Sequence, residues 1–287
     1  MTAATTVEGI EERIADLAGT HLRYLSGGSG SPVILLHGLG GSSSNWIELL
    51  GGAAERFRVL APDLPGHGRS ARLPARAGVT AFADAVAALL EHEHATPALV
   101  VGHSFGGLVG LRLAHRRPDL VRGLLLVAPA GIRSGASAVR AAILVSMLVR
   151  PARLAAPFRH RYAARAWYRR ALFRPWFVSD PLALSARATL GFLESSGEHV
   201  DIRTAARALV LDDPRRDLER VGCSVVIVWG ARDQQLPLDD AFEYTRRLRA
   251  KLRVVADCGH LVIGERPQAC LGALDELARA TRDWEPR

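Results

Sequence analysis

Six short runs rich in valine, isoleucine and leucine recur along the chain, and each breaks off at glycine, proline or a polar residue. They are "PVILLHG" (32–38), "FRVLAPD" (57–63), "ALVVGHS" (98–104), "GLLLVAPAG" (123–131), "SVVIVWGARD" (224–233) and "LRVVADCGH" (252–260). Runs this brief and this continuously apolar are expected of strands covered on both faces, as in a parallel sheet. An earlier stretch, "THLRYLSGG" (20–28), alternates more and reads as an antiparallel edge strand. Helical patterns fill the intervals at 80–94, 104–117, 239–250 and 267–282. The first, "TAFADAVAALLEHEH", opens on Thr80 as its expected cap and spaces its apolar residues by three and four. Strand alternating with helix predicts an α/β fold: a mostly parallel central sheet flanked by helices, with right-handed crossovers.

The alternation stops between 131 and 215. There only helical patterns are visible, interrupted by Pro151, Pro157, Pro175, Pro181 and Pro214. Charge changes over the same interval. The chain has a formal net charge of +8, and 36 of its 37 basic residues are arginine. Residues 131–215 hold 14 Arg against six carboxylates, whereas the remainder is balanced at 23 basic and 23 acidic. No carboxylate stands between Asp119 and Asp180. Pattern and composition together predict an α/β core made of 1–130 and 216–287, with 131–215 inserted as a helical, Arg-rich cap.

At 287 residues, 48% apolar and 23% charged, the chain has the makings of a large globular core and lacks the signature of disorder. The first 19 residues carry four carboxylates and no apolar block, so no secretory signal is expected. The longest apolar run, "AAILVSMLV" near 145, falls far short of the roughly 20 residues that span a bilayer, so no transmembrane segment is expected. Three cysteines (Cys223, Cys258 and Cys270) form no C-x-x-C pair and are odd in number, which points to a reducing cytoplasm. "EHEH" at 91–94 looks metal-like, but His92 and His94 diverge on a helix and a solvated helix end is the better reading. No metal or cofactor is expected.

Reactive groups of parallel sheets sit on loops at the carboxyl ends of strands. Here those ends carry "HGLGGSSSNW", "DLPGHGRS", "HSFGG", "WGARDQQLP" and "CGHLVIGERP". Acyl transfer by serine needs a base to take the hydroxyl proton, a carboxylate to orient the base, and preorganised donors for the oxyanion. A Ser, an Asp and a His each end a different strand, in the chain order Ser104, Asp233, His260. That order, with the serine between a strand and a helix in "GHSFG", is the arrangement of the nucleophile elbow.

On "HGLGG", "VLAPDLPGHGRS", "VVGHSFGGLVG", "VVIVWGARDQQLP" and "CGHLVIGERP", the chain resembles α/β-hydrolase-fold proteins of the capped, esterase- and lipase-like branch. The resemblance covers nearly everything outside 131–215. It implies Ser104 as nucleophile, His260 as general base and acid, Asp233 as orienting carboxylate, and an oxyanion hole from the backbone N–H groups of Leu39 and Phe105. Some relatives place the acid after the strand that here ends "VAPAG", but no carboxylate stands there. His37, His103 and Trp46 flank the motifs and are candidates for contact with substrate, with backbone anchoring or core packing as the competing readings. Asp63 and His67 read as structural, and Cys258 as a weak competitor for the nucleophile.

Serine at the elbow argues against the dehalogenases and epoxide hydrolases of this fold, because a serine alkylated there would be left as an inert ether. The expected substrate is a small carboxylic ester or thioester cleaved through an acyl-enzyme. The alternatives are a carbon–carbon bond hydrolase, a perhydrolase, or a non-catalytic binding module of the same fold. The stretch "PARLAAPFRHRYAARAWYRRALFRPWF" alternates Arg with aromatic residues. Such a surface suits an acidic carrier protein or an anionic surface, or is a solvated lid over an acyl pocket. Nucleic acid finds no support beyond charge.

Overall fold

Side chains of the central strands point alternately to two faces of one sheet, and a different set of helices seals each face. The computed structural model describes residues 7–17, 19–132, 156–173, 177–194 and 200–283. Eight strands form the sheet: β1 (Ile10–Leu17), β2 (Thr20–Gly27), β3 (Pro32–Leu36), β4 (Arg58–Pro62), β5 (Ala98–His103), β6 (Val121–Val127), β7 (Ser224–Gly230) and β8 (Lys251–Val255). Their order is β1-β2-β4-β3-β5-β6-β7-β8. The β1–β2 and β2–β4 pairs are antiparallel, and every pair from β4 to β8 is parallel. The six apolar runs imply the mostly parallel sheet, and the resemblance implies the α/β-hydrolase fold that it forms.

The period of two along each strand explains the layers. Ile34, Leu36, Val100, Leu124, Leu126 and Ile227 share one buried cluster with helices α2 (Val79–His92) and α3 (Phe105–Arg116). Val33, Leu35, Leu99, Val101, Leu125 and Val228 share the other with α1 (Ile47–Ala54) and the C-terminal helix Pro267–Ala280. A fully buried leucine or valine is worth on the order of 1.5–3 kcal/mol over an exposed one, so a one-residue slip of any central strand would be severely destabilising.

Three expectations are corrected. The run at 252–260 is not covered on both faces, because its strand β8 is outermost and Val254 is 44% exposed. The 20–27 stretch is not an edge strand, because β1 pairs with it along its whole length. "IEERIADL" gives no apolar strand signal, because only Ile10 and Ala15 are buried in it, while Glu11, Glu12 and Arg13 face solvent. Charge on an outermost strand discourages pairing with another chain. Helix α2 begins at Val79 with Gly78 at its N-cap position, and no side chain, Thr80 included, caps it.

Between β6 and β7 the described residues form four helices, α4 (Arg159–Tyr162), α5 (Ala166–Phe173), α6 (Ala186–Glu194) and α7 (Ile202–Leu211), and no strand. The apolar run at 141–149 and two of the five prolines, Pro151 and Pro175, lie outside the described residues. The residues that follow β6 and those that lead back toward β7 meet at one place. Gly131, at φ +135°, is packed so closely against the Pro214 ring and the Tyr244 hydroxyl that an added Cβ would lie 2.8 and 2.9 Å from them. Tyr244 donates to the Ala130 carbonyl at 2.8 Å. Beside this junction Arg112 of α3 forks onto both oxygens of Asp212, at 3.0 and 2.6 Å, and reaches Asp217 at 2.6 Å. The helices rest on loops at the carboxyl ends of the strands. Asn45 donates to the Gly191 carbonyl, Asp201 N–H to Gly66 and Leu261 N–H to Phe177. Among the described residues no helix is long and apolar enough to cross a membrane.

Candidate active site

The turn from β5 into α3 carries Ser104 at φ 52° and ψ −116°, a conformation that costs a non-glycine residue energy. Its neighbours make the turn possible. A Cβ on Gly102 would lie 2.5 Å from the Gly106 carbonyl oxygen, and one on Gly106 would run into the Leu36 and His37 carbonyls. Four backbone bonds hold the strained residue, one of them from Leu108 N–H to the Ser104 carbonyl at 3.3 Å. Ser104 N–H donates to Val127, and the Gly107 and Ala130 N–H groups both donate to the Ser104 carbonyl, each at 3.0 Å. The serine is half-buried at the head of α3, where first-turn N–H groups lack helical acceptors.

Asp233 and His260 meet at the ends of β7 and β8. Asp233 Oδ2 accepts from His260 Nδ1 at 2.7 Å, with both side chains almost wholly buried. The other oxygen, Oδ1, accepts the N–H groups of Gln235 and Leu236 at 2.8 and 2.9 Å, which fixes the carboxylate's orientation. A proton on Nδ1 leaves Nε2 of His260 as the basic nitrogen.

The link between this pair and the serine turn runs through His103. Its ring lies 4.9 Å from that of His260, and its Nε2 donates to the His260 carbonyl at 3.0 Å. Burial, reinforced by the neighbouring His260, pushes the His103 pKa down to about 3, so it is a neutral spacer whose Nε2 proton is committed to the backbone. His37 is placed in the same way. Its Nδ1 donates to the Gly38 carbonyl at 2.8 Å and its Nε2 accepts the Leu64 N–H at 2.9 Å. Both histidines therefore anchor backbone. Trp46 is fully buried in the layer with Leu35, Leu49 and Leu50, so its ring presents no surface. Phe105 points its ring into the core, edge-on to Phe82 at 5.2 Å, which leaves only its backbone at the turn. Leu39 is half-buried on the loop after β3. That loop approaches the serine closely: a Cβ on Gly38 would lie 3.2 Å from Ser104 Cβ. Among the described residues no acceptor is paired with the N–H of Leu39 or Phe105.

Two supporting groups were not singled out as functional from the sequence. Glu265 is buried, and its carboxylate accepts Gly259 N–H at 2.8 Å, the Ser179 N–H and hydroxyl at 3.0 Å each, and Asp180 N–H at 3.3 Å. It ties the His260 loop to the segment between β6 and β7. Burial raises its pKa, against the pull of those donors. The signal lay in "GHLVIGERP", where a carboxylate five residues past the histidine opens no obvious surface role. Asp63, expected to be structural, accepts the Ser43 N–H and hydroxyl at 2.8 and 2.7 Å and so braces the loop that carries Leu39. Cys258 is buried, and burial together with Glu265 pushes its thiol far up, which removes it as a nucleophile. At 91–94, Glu93 is taken by the Tyr24 hydroxyl and Arg58, and Glu91 by Arg117.

Comparison with known proteins identifies the family to which the fold belongs. Residues 33–273 match the family model described as "Alpha/beta hydrolase family". The chain is 31% identical over 270 residues, 90% of its own length, to the dihydrolipoyllysine-residue acetyltransferase component of the acetoin cleaving system of Pseudomonas putida. It is 32% identical to Lipase LipV of Mycobacterium tuberculosis over 82% of its own length and 88% of that protein. A solved structure described as a membrane phospholipase A, a bacterial virulence factor, superposes with a TM-score of 0.75 at 22% identity, covering 96% of this chain and 88% of that one. The chain spans 67% and 64% of the acetoin-system components it matches, and 31% of a set of uncharacterised mycobacterial proteins. The chain belongs to the alpha/beta hydrolase family. The class of enzyme that this fold and these relatives define is a hydrolase.

Proposed function

We propose that this hydrolase cleaves carboxylic esters or thioesters through a covalent acyl-enzyme. The observation that carries the reading is the buried 2.7 Å Asp233–His260 pair, linked through His103 to the strained turn of Ser104. In the proposed cycle His260 Nε2 takes the Ser104 hydroxyl proton as Oγ attacks the acyl carbonyl. The oxyanion is received by the N–H groups of Leu39 and Phe105. Collapse expels the alcohol or thiol, protonated by His260, and water then returns the carboxylic acid by the same steps in reverse roles. Asp233 orients His260 through its Nδ1 proton and stabilises the imidazolium.

In the same reading residues 131–215 are a lid on a core made of 1–130 and 216–287. The single junction at Gly131 and Pro214, and the bonds to loops after β3, β4 and β8, support that division. The lipase and the phospholipase A among the similar proteins support ester cleavage. Three free thiols, two of them buried, fit a cytoplasmic setting. The test is labelling by a serine-directed fluorophosphonate together with turnover of p-nitrophenyl esters of rising chain length beside acyl thioesters. Wild type should label and turn over, and Ser104→Ala should do neither. An unlabelled wild type would leave the fold as a binding module.

A further inference from the structure

Helices α4 and α5, with Phe158 just ahead of them, carry the wrong side chains for a surface that meets only water. Phe158 and Trp167 are 57% and 58% exposed, and both stand against Tyr162, at centroid distances of 6.4 and 5.3 Å. Tyr168 completes the group, edge-on to Trp167 at 5.7 Å. The Arg161 guanidinium lies 5.6 Å from the centre of the Tyr162 ring. Single exposed aromatics are ordinary, whereas a contiguous set marks a surface with a partner.

The α5 sequence sorts its residues by face. Trp167, Arg170 and Ala171 are exposed at helical spacing, and Tyr168 and Phe173 are buried. The inner face reaches the site: Phe173 packs in one cluster with Val178, Leu184 and Leu261, the residue after His260. The outer face carries the charge. Residues 156–173 hold five arginines, one histidine and no carboxylate. Arg169 turns onto the Leu184 and Ala164 carbonyls, while Arg161, Arg165 and Arg170 face solvent.

We propose that the face of Phe158, Arg161, Tyr162, Arg165, Trp167 and Arg170 seats the protein on an anionic lipid bilayer. The argument is charge complementarity joined to side-chain type. Trp, Tyr and Phe lodge at the headgroup level, where one end of the ring is apolar and the other wet. Arginines beside them gain from the negative surface potential of an anionic leaflet. A set of rings flanked by cations, with no carboxylate among residues 156–173, suits the headgroup layer of an anionic leaflet, where no fitted pocket is needed. The docking stands apart from the hydrolase reading above; only with that reading does it favour a lipid ester as the acyl substrate.

The test is co-sedimentation of the full chain with phosphatidylcholine vesicles, with and without phosphatidylglycerol, read in the wild type and in Ser104→Ala so that hydrolysis does not alter the vesicles. The wild type should bind phosphatidylglycerol vesicles about tenfold or more tightly than neutral ones, with the difference shrinking in salt. Phe158→Ala with Trp167→Ala should weaken that binding by roughly tenfold while turnover of a water-soluble ester stays at wild-type level. Arg161→Gln, Arg165→Gln and Arg170→Gln together should abolish the preference for phosphatidylglycerol. Equal binding to both vesicles, or an aromatic double variant that binds as wild type does, overturns the proposal. So does binding to an acidic acyl-carrier protein that responds to these substitutions while vesicles are ignored. A chain that binds vesicles but never cleaves an ester refutes the hydrolase reading alone, and an active one that ignores vesicles refutes the docking alone.

Discussion

The core and the segment between β6 and β7 spend their polar side chains differently. In the core, buried polar groups near Ser104 are committed inward: His37, His103 and Asp63 each hold a stretch of backbone, and Glu265 holds two. In α4 and α5, most cations turn outward and the aromatics stack on one another. The contrast separates what sets rate and stability from what sets the company the protein keeps. Substitutions in the first region should be felt everywhere, and those in the second only where a surface is met.

The sharpest way to break that division is at the turn itself. Ser104→Ala should lower ester turnover by about a millionfold, as expected of a lost nucleophile, with the thermal midpoint unchanged. Turnover within tenfold of wild type would place the chemistry elsewhere. Asp233→Asn should cost about 10⁴ in kcat, because an amide in place of Oδ2 cannot accept the Nδ1 proton that orients His260. The Oδ1 bonds to Gln235 and Leu236 survive that change, so a circular dichroism melt should move little.

Arg112→Leu tests the junction between the regions. It strands Asp212 and Asp217 at a partly buried site and should cost about 3 kcal/mol in urea denaturation, near the lower end for a broken buried pair. The exposed Arg215–Asp213 pair should contribute less than about 1 kcal/mol by the same measurement.

His103 adds a dependence on pH. Its pKa is depressed in the folded protein, so the unfolded chain takes up a proton first as pH falls below about 6.5. Stability is therefore full above that value and falls by up to about 1.4 kcal/mol per pH unit down toward pH 3. His103→Gln should flatten the slope between pH 7 and 5 by about one proton's worth, read as the urea midpoint. An unchanged slope would mean that His103 is solvated and charged. The smallest effect is expected outside the core: Arg161→Gln with Arg165→Gln should shift stability by less than about 0.5 kcal/mol.

Much of the core was legible because its signals are local. Continuous apolar runs betray strands covered on both sides, and β3, β5 and β6 are almost entirely buried. Strand ends then locate Ser104, Asp233 and His260 without any knowledge of distance. Strand β1 was invisible because its stability comes from pairing along β2 and from little burial of its own. The roles of His37 and His103 were ambiguous because motif position cannot tell a ring that faces substrate from one that faces a carbonyl. Glu265 was missed for a related reason: its four donors come from residues 179, 180 and 259, and only folding brings them together.

The junction at Gly131, Pro214 and Tyr244 has a consequence for how such a chain can diversify. Departure and return share one doorway, so the strand order never records how long or what kind of excursion lies between them. Lengthening, shortening or exchanging that excursion leaves the register of β6 with β7 as it was. A new clientele can be acquired there without reopening the question of where the reactive groups stand.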